Sequence, residues 1–241
     1  MAKTASSLSI SDSTAMACGD WDRCETATLL SAAKYLVVMI TALALNACGS
    51  PYYTSEAIEA WVVDADTGQP IEGAVVTANW QLVGFTLDTG GSKRGQLAVM
   101  ETTTDANGRF FFQGFTKLNL SFGELRDQDP QILIFKPGYR YIGGGNDYTM
   151  GASSPGPHRK SQLSGKRLQM SKADPDPRKQ ANDLIGLTTS LANITDSGDA
   201  DRVHQMLDAL ACERWRLKAL DPRTLVLVPG GSTEHGRGCA K

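Results

Sequence analysis

The sequence predicts a mainly β fold that ends in a helical hairpin. Two observations carry that class. Between residues 56 and 145, short runs rich in β-branched and aromatic residues alternate with clusters of Asp, Asn, Gly and Pro. Between residues 184 and 217, large apolar residues recur at spacings of three and four. A third observation concerns the chain ahead of both. Tyr35–Leu45 is an apolar run without a charge, too short for a membrane-spanning helix of about 20 residues.

The elements follow in order. Ile58–Asp64 reads as a half-buried strand. Asp64–Pro70 is a turn, in which Gly68 takes positive φ at little cost and Pro70 pre-sets φ for the chain leaving it. Ile71–Trp80 is the second strand, with Ala74, Val76 and Ala78 on one face by the period of two. Gly73 within it suggests a bulge or a close backbone approach. Asn107-Gly108 lies between β-prone runs and signals a tight hairpin. Phe110 and Phe112 then point one way and Phe111 the other. Gln131–Phe135 is a strand, Lys136–Tyr139 a Pro-Gly turn, and Arg140–Ile142 extended.

Residues 146–175 are rich in Gly, Ser, Pro and basic residues and read as a linker or loop. The segment 176–241 follows as a helical hairpin with a short terminal strand and a loose end. Asp176 is a good N-cap and Pro177 suits the first helical position. Leu184, Leu187, Leu191 and Ile194 share a helix face, and Thr195–Gly198 breaks the helix. A second helix carries Val203, Met206, Leu207, Leu210 and Leu217 and stops at Asp221-Pro222. Thr224–Val228 reads as a late strand.

The string Val63-Asp64-x-x-Thr67-Gly68-x-Pro70-Ile71-x-Gly73-Ala74-x-Val76, then Thr104-Asp105-Ala106-Asn107-Gly108-x-Phe110, then Ile134-x-Lys136-Pro137-Gly138-Tyr139, resembles the carboxypeptidase regulatory-like domain. The resemblance covers residues 56–145 and implies a small antiparallel β-sandwich related to the transthyretin-like fold. Two stretches depart from it as insertions, 81–100 and 117–129. Insertions on a sandwich are places where function tends to sit.

At the other end, Leu45-Asn46-Ala47-Cys48 closes the apolar run and resembles the lipobox of bacterial lipoproteins. A basic residue, Lys34, stands before the run, as in a secretory signal. The resemblance implies a leader and signal peptide over 1–47, a lipid on Cys48, a tether over 48–55 and attachment to a membrane through that lipid. It places the protein in the cell envelope, in the outer membrane facing the periplasm if the cell is Gram-negative. The stretch before the run is long and holds only Lys3, Arg23 and Lys34 as basic residues, so Met16 is an alternative start.

The balance of charges, 24 Lys and Arg against 26 Asp and Glu, gives no basic footprint for a nucleic-acid partner. Of five cysteines, Cys18 and Cys24 leave with the leader on this reading and Cys48 takes the lipid. Cys212 and Cys239 remain as a possible disulfide in an oxidising compartment.

No catalytic set is visible. The zinc carboxypeptidases that lend the domain its name need a His-x-x-Glu pair. His158, His204 and His235, the only histidines, have no Glu three residues on, and His-Glu-x-x-His is absent. No phosphate loop and no Gly-x-Ser-x-Gly elbow occur. No catalytic residue, metal or cofactor is therefore assigned. Asp64, Asp66, Asp105 and Asn107 could cluster as oxygen ligands for calcium, but their first expected use is in turns. Glu234, His235 and Cys239 could form a metal trio, with a free polar tail as the plainer reading. Trp61 and Trp80, expected on adjacent strands, could stack on a sugar or pack in the sheet.

The expected function is a non-enzymatic, lipid-anchored envelope protein whose sandwich binds a protein or glycan partner or serves as scaffolding. The alternatives are a carbohydrate-contacting module, or an accessory subunit or cryptic hydrolase of an envelope enzyme system.

Overall fold

The architecture is set by one strand that is buried on both faces. Val75–Gly84 (β3) is buried from Val75 to Leu82, and successive strand side chains point to opposite sides. Val76, Ala78, Trp80 and Leu82 enter one core, while Val75 enters another. The second face also buries Thr77, Asn79 and Gln81. The computed structural model describes residues 34–39, 50–84, 92–121, 123–126, 130–144, 156–196, 198–226 and 229. They fall in two compact units, Met1–Ala47 and Cys48–Lys241.

In the first unit residues 34–39 are helical (α1). Tyr35, Leu36, Val37, Val38 and Met39, half of the expected apolar run, are all exposed there. No described helix is long and apolar enough to cross a membrane.

The second unit is mainly β with a helical tail. Its strands are Tyr52–Ser55 (β1), Ile58–Asp64 (β2), β3, Ser92–Thr103 (β4), Arg109–Phe112 (β5), Phe115–Leu118 (β6), Glu124–Leu125 (β7), Gln131–Phe135 (β8), Ile142–Gly144 (β9), His158–Arg159 (β10) and Arg167–Met170 (β11). The central sheet runs β4-β3-β8-β9, with β7 also paired to β3. A second sheet runs β11-β2-β5 and a third β10-β1-β6. The second sheet contributes Ile58, Ala60, Val62, Phe110, Phe112 and Met170 to the first core, facing the central sheet in a sandwich-like arrangement.

The helices are Pro177–Asp183 (α2), Ile185–Thr195 (α3) and His204–Leu220 (α4), the last entered through a 3-10 turn at Ala200–Val203. They cover the other face of the central sheet. Leu187, Leu191, Ile194, Met206, Leu207, Leu210 and Leu217 pack there with Val75, Val99, Leu133 and Phe135. Truncating one such residue, as in Leu191→Ala, costs about 2–5 kcal/mol. The sheet face beneath the helices is not wholly apolar. Thr77 and Asn79 are buried in β3 with side-chain polar atoms that no hydrogen bond satisfies. Further along, opposite Gln81, Gln96 donates to the Asn193 carbonyl at 3.3 Å.

Several expectations hold in detail. The strand Ile58–Asp64 is observed with the expected bounds. Asp176 caps α2, its carboxylate accepting from Arg178 N at 2.9 Å. Phe110 and Phe112 are buried and meet edge to face at 5.8 Å, while Phe111 is exposed beneath the Arg109 guanidinium.

Others are corrected. The sheets are not purely antiparallel, because β11 runs parallel to β2 and β10 parallel to β1. Both returning strands come from the stretch expected as linker, 146–175. They complete the free edges of β2 and β1, whose other edges are taken by β5 and β6. Asn107-Gly108 does not close a hairpin, since β4 pairs with β3 and β5 with β2. The turn instead carries the chain from one sheet to the other. Ile71 and Gly73 stand outside the second strand, and Gly73 lies in a turn with φ +67°.

The first tail helix breaks at Leu184, earlier than its apolar spacing suggests. The Tyr141 hydroxyl lies 2.0 Å from where a Cβ at Gly186 would sit, so only glycine admits this approach. Thr224–Val226 forms no strand. Thr224 turns back on Asp221 through its amide and its hydroxyl, and Val226 packs among the helices; residues 227–228 lie outside the described residues. Of the insertions, residues 92–100 form part of β4, while 124–125 pair with β3 as β7.

Candidate functional site

The residues of the three sequence strings come together at one corner of the sandwich. Asp64, at the end of β2, is buried and accepts from Asp66 N and Thr67 N, each at 3.0 Å. Its second oxygen accepts from the Tyr139 hydroxyl at 2.9 Å and pairs with Lys172 Nζ at 2.9 Å. Lys172 also donates to the Tyr139 hydroxyl and lies 3.9 Å from that ring's centroid. The hydrogen bond from Lys172, with those from the turn amides and Tyr139, holds the Asp64 carboxyl well below the usual carboxylate range. Its own bonds to Tyr139, the larger contributor, and to Asp64 hold Lys172 above the usual lysine range.

The rest of the signature is equally structural. Asp105 accepts from Asn107 N and Arg109 N, each at 2.9 Å. Thr104 Oγ1 accepts from Ala74 N at 2.8 Å and donates to the Ile71 carbonyl at 2.6 Å. Asp64 and Asp105 are therefore occupied in two separate turns. Among the described residues no three His, Cys, Asp or Glu side chains are grouped as metal ligands.

Beyond Lys172 the corner opens into a cleft of about 490 Å³ lined by Arg140, Ser171, Lys172, Asp174, Lys179, Asn182 and Asp183. Arg140 pairs with Asp183 at 3.2 Å, and Lys179 with Asp174 at 3.4 Å. The Asp174 carboxyl is lowered chiefly by the amide of Asp176. Every side chain on this wall is polar, and each cation already faces a carboxylate. Such a wall suits a polar ligand carrying both signs of charge or a charged protein surface. Among the described residues no histidine or cysteine stands on it to supply a nucleophile or a base near neutrality.

The other residues singled out from sequence are scattered. Cys48, Cys239, Glu234 and His235 lie outside the described residues. Cys212, on α4, is disulfide-bonded. No other described residue is a cysteine, so its partner also lies outside them. His158 is exposed on β10 against the Tyr52 ring at 6.3 Å. His204 opens α4, 3.8 Å from the Glu101 carboxylate.

Trp61 and Trp80 are not on adjacent strands, because β2 and β3 belong to different sheets. Trp80 is buried against Phe115 at 5.0 Å, so the two indoles form no common platform. Their matching apolar patterns gave no means of telling the sheets apart. The cleft residues Arg140, Lys172, Asp174, Lys179 and Asp183 were not singled out. The density of both charges between 172 and 183 was the available signal, and it resembles any solvated helix start.

No protein-family model matches the chain. No curated protein matches it. Solved structures offer distant likenesses. A streptococcal ancillary pilin is 14% identical with a TM-score of 0.27, over 49% of this chain and 29% of its own. A 3-chlorocatechol 1,2-dioxygenase from Rhodococcus opacus is 17% identical with a TM-score of 0.29, over 50% and 61%. A pilus 2b backbone protein of group B streptococcus is 14% identical with a TM-score of 0.26, over 49% and 42%. The chain spans less than two thirds of the length of each of these three.

Proposed function

We propose that this chain is a non-enzymatic, lipid-anchored envelope protein whose β-rich unit is a binding or scaffolding module of the carboxypeptidase regulatory-like kind. The observation that carries the anchor is the short distance between Cys48 and the folded unit. Strand β1 begins at Tyr52, four residues after the lipobox-like cysteine, and the unit itself begins at Cys48. Four residues span at most about 14 Å, so a lipid on Cys48 would hold the β10-β1-β6 sheet close to the bilayer. Several acyl chains on one cysteine would make that attachment stable, since one chain binds only marginally.

The domain reading is supported by Asp64 and Tyr139, which bond across two of the three motif strings, and by Thr104, which ties the third to Ile71 and Ala74. The partner side is supported by the doubly charged cleft at that corner. Mass spectrometry of the membrane fraction tests the anchor. The expected product is a di- or triacylated peptide beginning at Cys48. An unmodified tryptic peptide running through Cys48 as the main species would overturn it.

A further inference from the structure

Leu120 is 82% exposed and Leu118 72%. Both lie in the insertion 117–129. Tyr52, exposed as well, is the partner of Leu118 across the β1-β6 pair. Side chains directly opposite in such a pair share a face, so the ring and the leucine stand side by side. A single apolar side chain on a surface is ordinary. Three large ones grouped at one end of a sheet form a patch.

The patch is held in place from beneath. Asn119, between the two leucines, is buried. Its Nδ2 donates to the Ser50 carbonyl at 3.0 Å and to the Gly123 carbonyl at 2.6 Å. Its backbone amide donates to the Pro51 carbonyl at 2.9 Å, and its Oδ1 accepts from the Ser121 hydroxyl at 3.0 Å. The asparagine is thus turned inward with its polar groups bonded, and the leucines on either side are turned out. The same bonds pin the patch to Ser50 and Pro51, the residues that lead into β1.

The charges nearby do not make a basic surface. Glu124 shares a pocket wall with Ser50. Lys160 faces Glu56 at 3.7 Å, and Lys117 donates to the Leu97 carbonyl at 3.3 Å. The patch therefore suits an apolar phase rather than an anionic one.

We propose that Leu118, Leu120 and Tyr52 form a lipid contact that seats the β-rich unit on the bilayer, the leucines among the acyl chains and the Tyr52 ring at the headgroup level. Amphipathic tyrosine rings favour that level. The choice of a bilayer as occupant rests on the anchor reading above. Ser50 lies two residues past Cys48, at most about 7 Å of chain. Acyl chains on Cys48 and the leucines beside Asn119 would then meet the same membrane face. The contact would fix the orientation of the unit, which a lipid tether alone leaves free.

The test uses the full acylated chain in phosphatidylcholine vesicles, with Leu120→Trp and, as a control, Leu225→Trp. Leu225 is also strongly exposed, but its neighbour Val226 packs in the core on the far side of the central sheet. Each added indole is read as the difference from the parent. The emission of the Leu120→Trp indole should shift to shorter wavelength and be quenched by brominated phosphatidylcholine. The Leu225→Trp indole should emit as in water. Leu118→Trp is read in the same way should Leu120→Trp not fold.

An indole at 120 that emits as in water and is not quenched overturns the contact. So does equal quenching at 120 and 225. A blue-shifted indole at 120 before vesicles are added, with a doubled mass in ultracentrifugation, would assign the patch to a second copy of this chain and overturn the lipid. The anchor is judged separately, by the mass of the Cys48 peptide. If that peptide is unmodified the anchor falls, and the Cys48→Ser chain, held on nickel-chelating lipid through an N-terminal polyhistidine, decides the patch. Quenching at 120 in that chain retains it, and none overturns it.

Discussion

The hydroxyl of Tyr139 donates to the carboxylate of Asp64 at 2.9 Å, and that bond fastens the Pro-Gly turn after β8 to the Asp-Thr-Gly turn after β2. Lys172 closes the triangle from the segment after β11. Three stretches remote in sequence thus meet on one buried carboxylate. Tyr139→Phe keeps the ring under Lys172 and removes the hydroxyl. It should lower the thermal midpoint by roughly 2–4 °C. An unchanged midpoint in a calorimetric scan would show that the bond contributes nothing.

Gly108 and Gly68 separate two costs that are usually confounded. Both have positive φ, +70° and +69°. A Cβ at Gly108 would stand 2.3 Å from the Val62 carbonyl oxygen, whereas one at Gly68 meets nothing within 4 Å. Gly68→Ala should therefore cost only the backbone term, about 1–2 kcal/mol. Gly108→Val adds a clash with the neighbouring strand β2 and should cost about 3 kcal/mol or more. Urea unfolding of the two variants checks the order, and equal losses would rule out the clash.

The two ends of α4 carry carboxylates shifted in opposite directions. Glu101 of β4 accepts from Gln205 N at 2.9 Å and Met206 N at 2.8 Å, satisfying amides that the first helical turn leaves open. Burial raises its pKa, against the pull of those two bonds. Asp221, after the last turn, accepts from Arg223 N at 2.9 Å and Arg178 Nε at 2.7 Å. Those bonds lower its pKa to about 2.

The pH dependence follows from these signs. A depressed carboxylate contributes stability above its unfolded pKa and loses it as pH falls through the folded value. Asp221 should therefore weaken the fold as pH drops from about 4 toward 2, and Asp221→Asn should flatten that limb. A raised carboxylate does the reverse, so the contribution of Glu101 is greatest in acid and declines as pH rises through its folded pKa. Glu101→Gln should remove that decline. Unfolding free energies measured from pH 2 to 8 decide both, and parallel curves for either variant and its parent would contradict the assignment.

What could be read from sequence was chemistry that acts within a few residues. The Asp176 cap, the Asp64 and Asp105 turns and the alternation in β2 all depend on near neighbours. The parallel returns of β10 and β11 do not. Two to four residues carry too little pattern to mark a strand, and each is stabilised by an edge more than a hundred residues earlier. The close approach of Tyr141 to Gly186 was hidden for the same reason, since the two residues are 45 positions apart. In the sequence Arg159 is the middle of a short basic run, His158-Arg159-Lys160, a pattern typical of a solvated loop. Only the packing of Tyr53 and Leu125 around it makes the middle residue a buried cation.

Cys212 is disulfide-bonded on α4, and the remaining question is its partner. If Cys18 and Cys24 leave with the leader and Cys48 carries lipid, Cys239 is the cysteine left. The bridge would then close residues 213–238 into a loop that passes through Pro222 and Pro229-Gly230-Gly231, sequences able to turn the chain back. It would tie the chain end to a helix whose inner face is buried in the second core. A loop of this length contributes about 3 kcal/mol by restricting the unfolded chain, less any strain in the folded one. Non-reducing peptide mapping of protein from envelope fractions should recover Cys212 and Cys239 in one linked peptide. Cys239→Ser should then lower stability by about 2–4 kcal/mol and leave Cys212 open to thiol labelling. Recovery of Cys212 linked to Cys18, Cys24 or Cys48 would overturn the pairing, and a link to Cys48 would also remove the cysteine that the lipid requires.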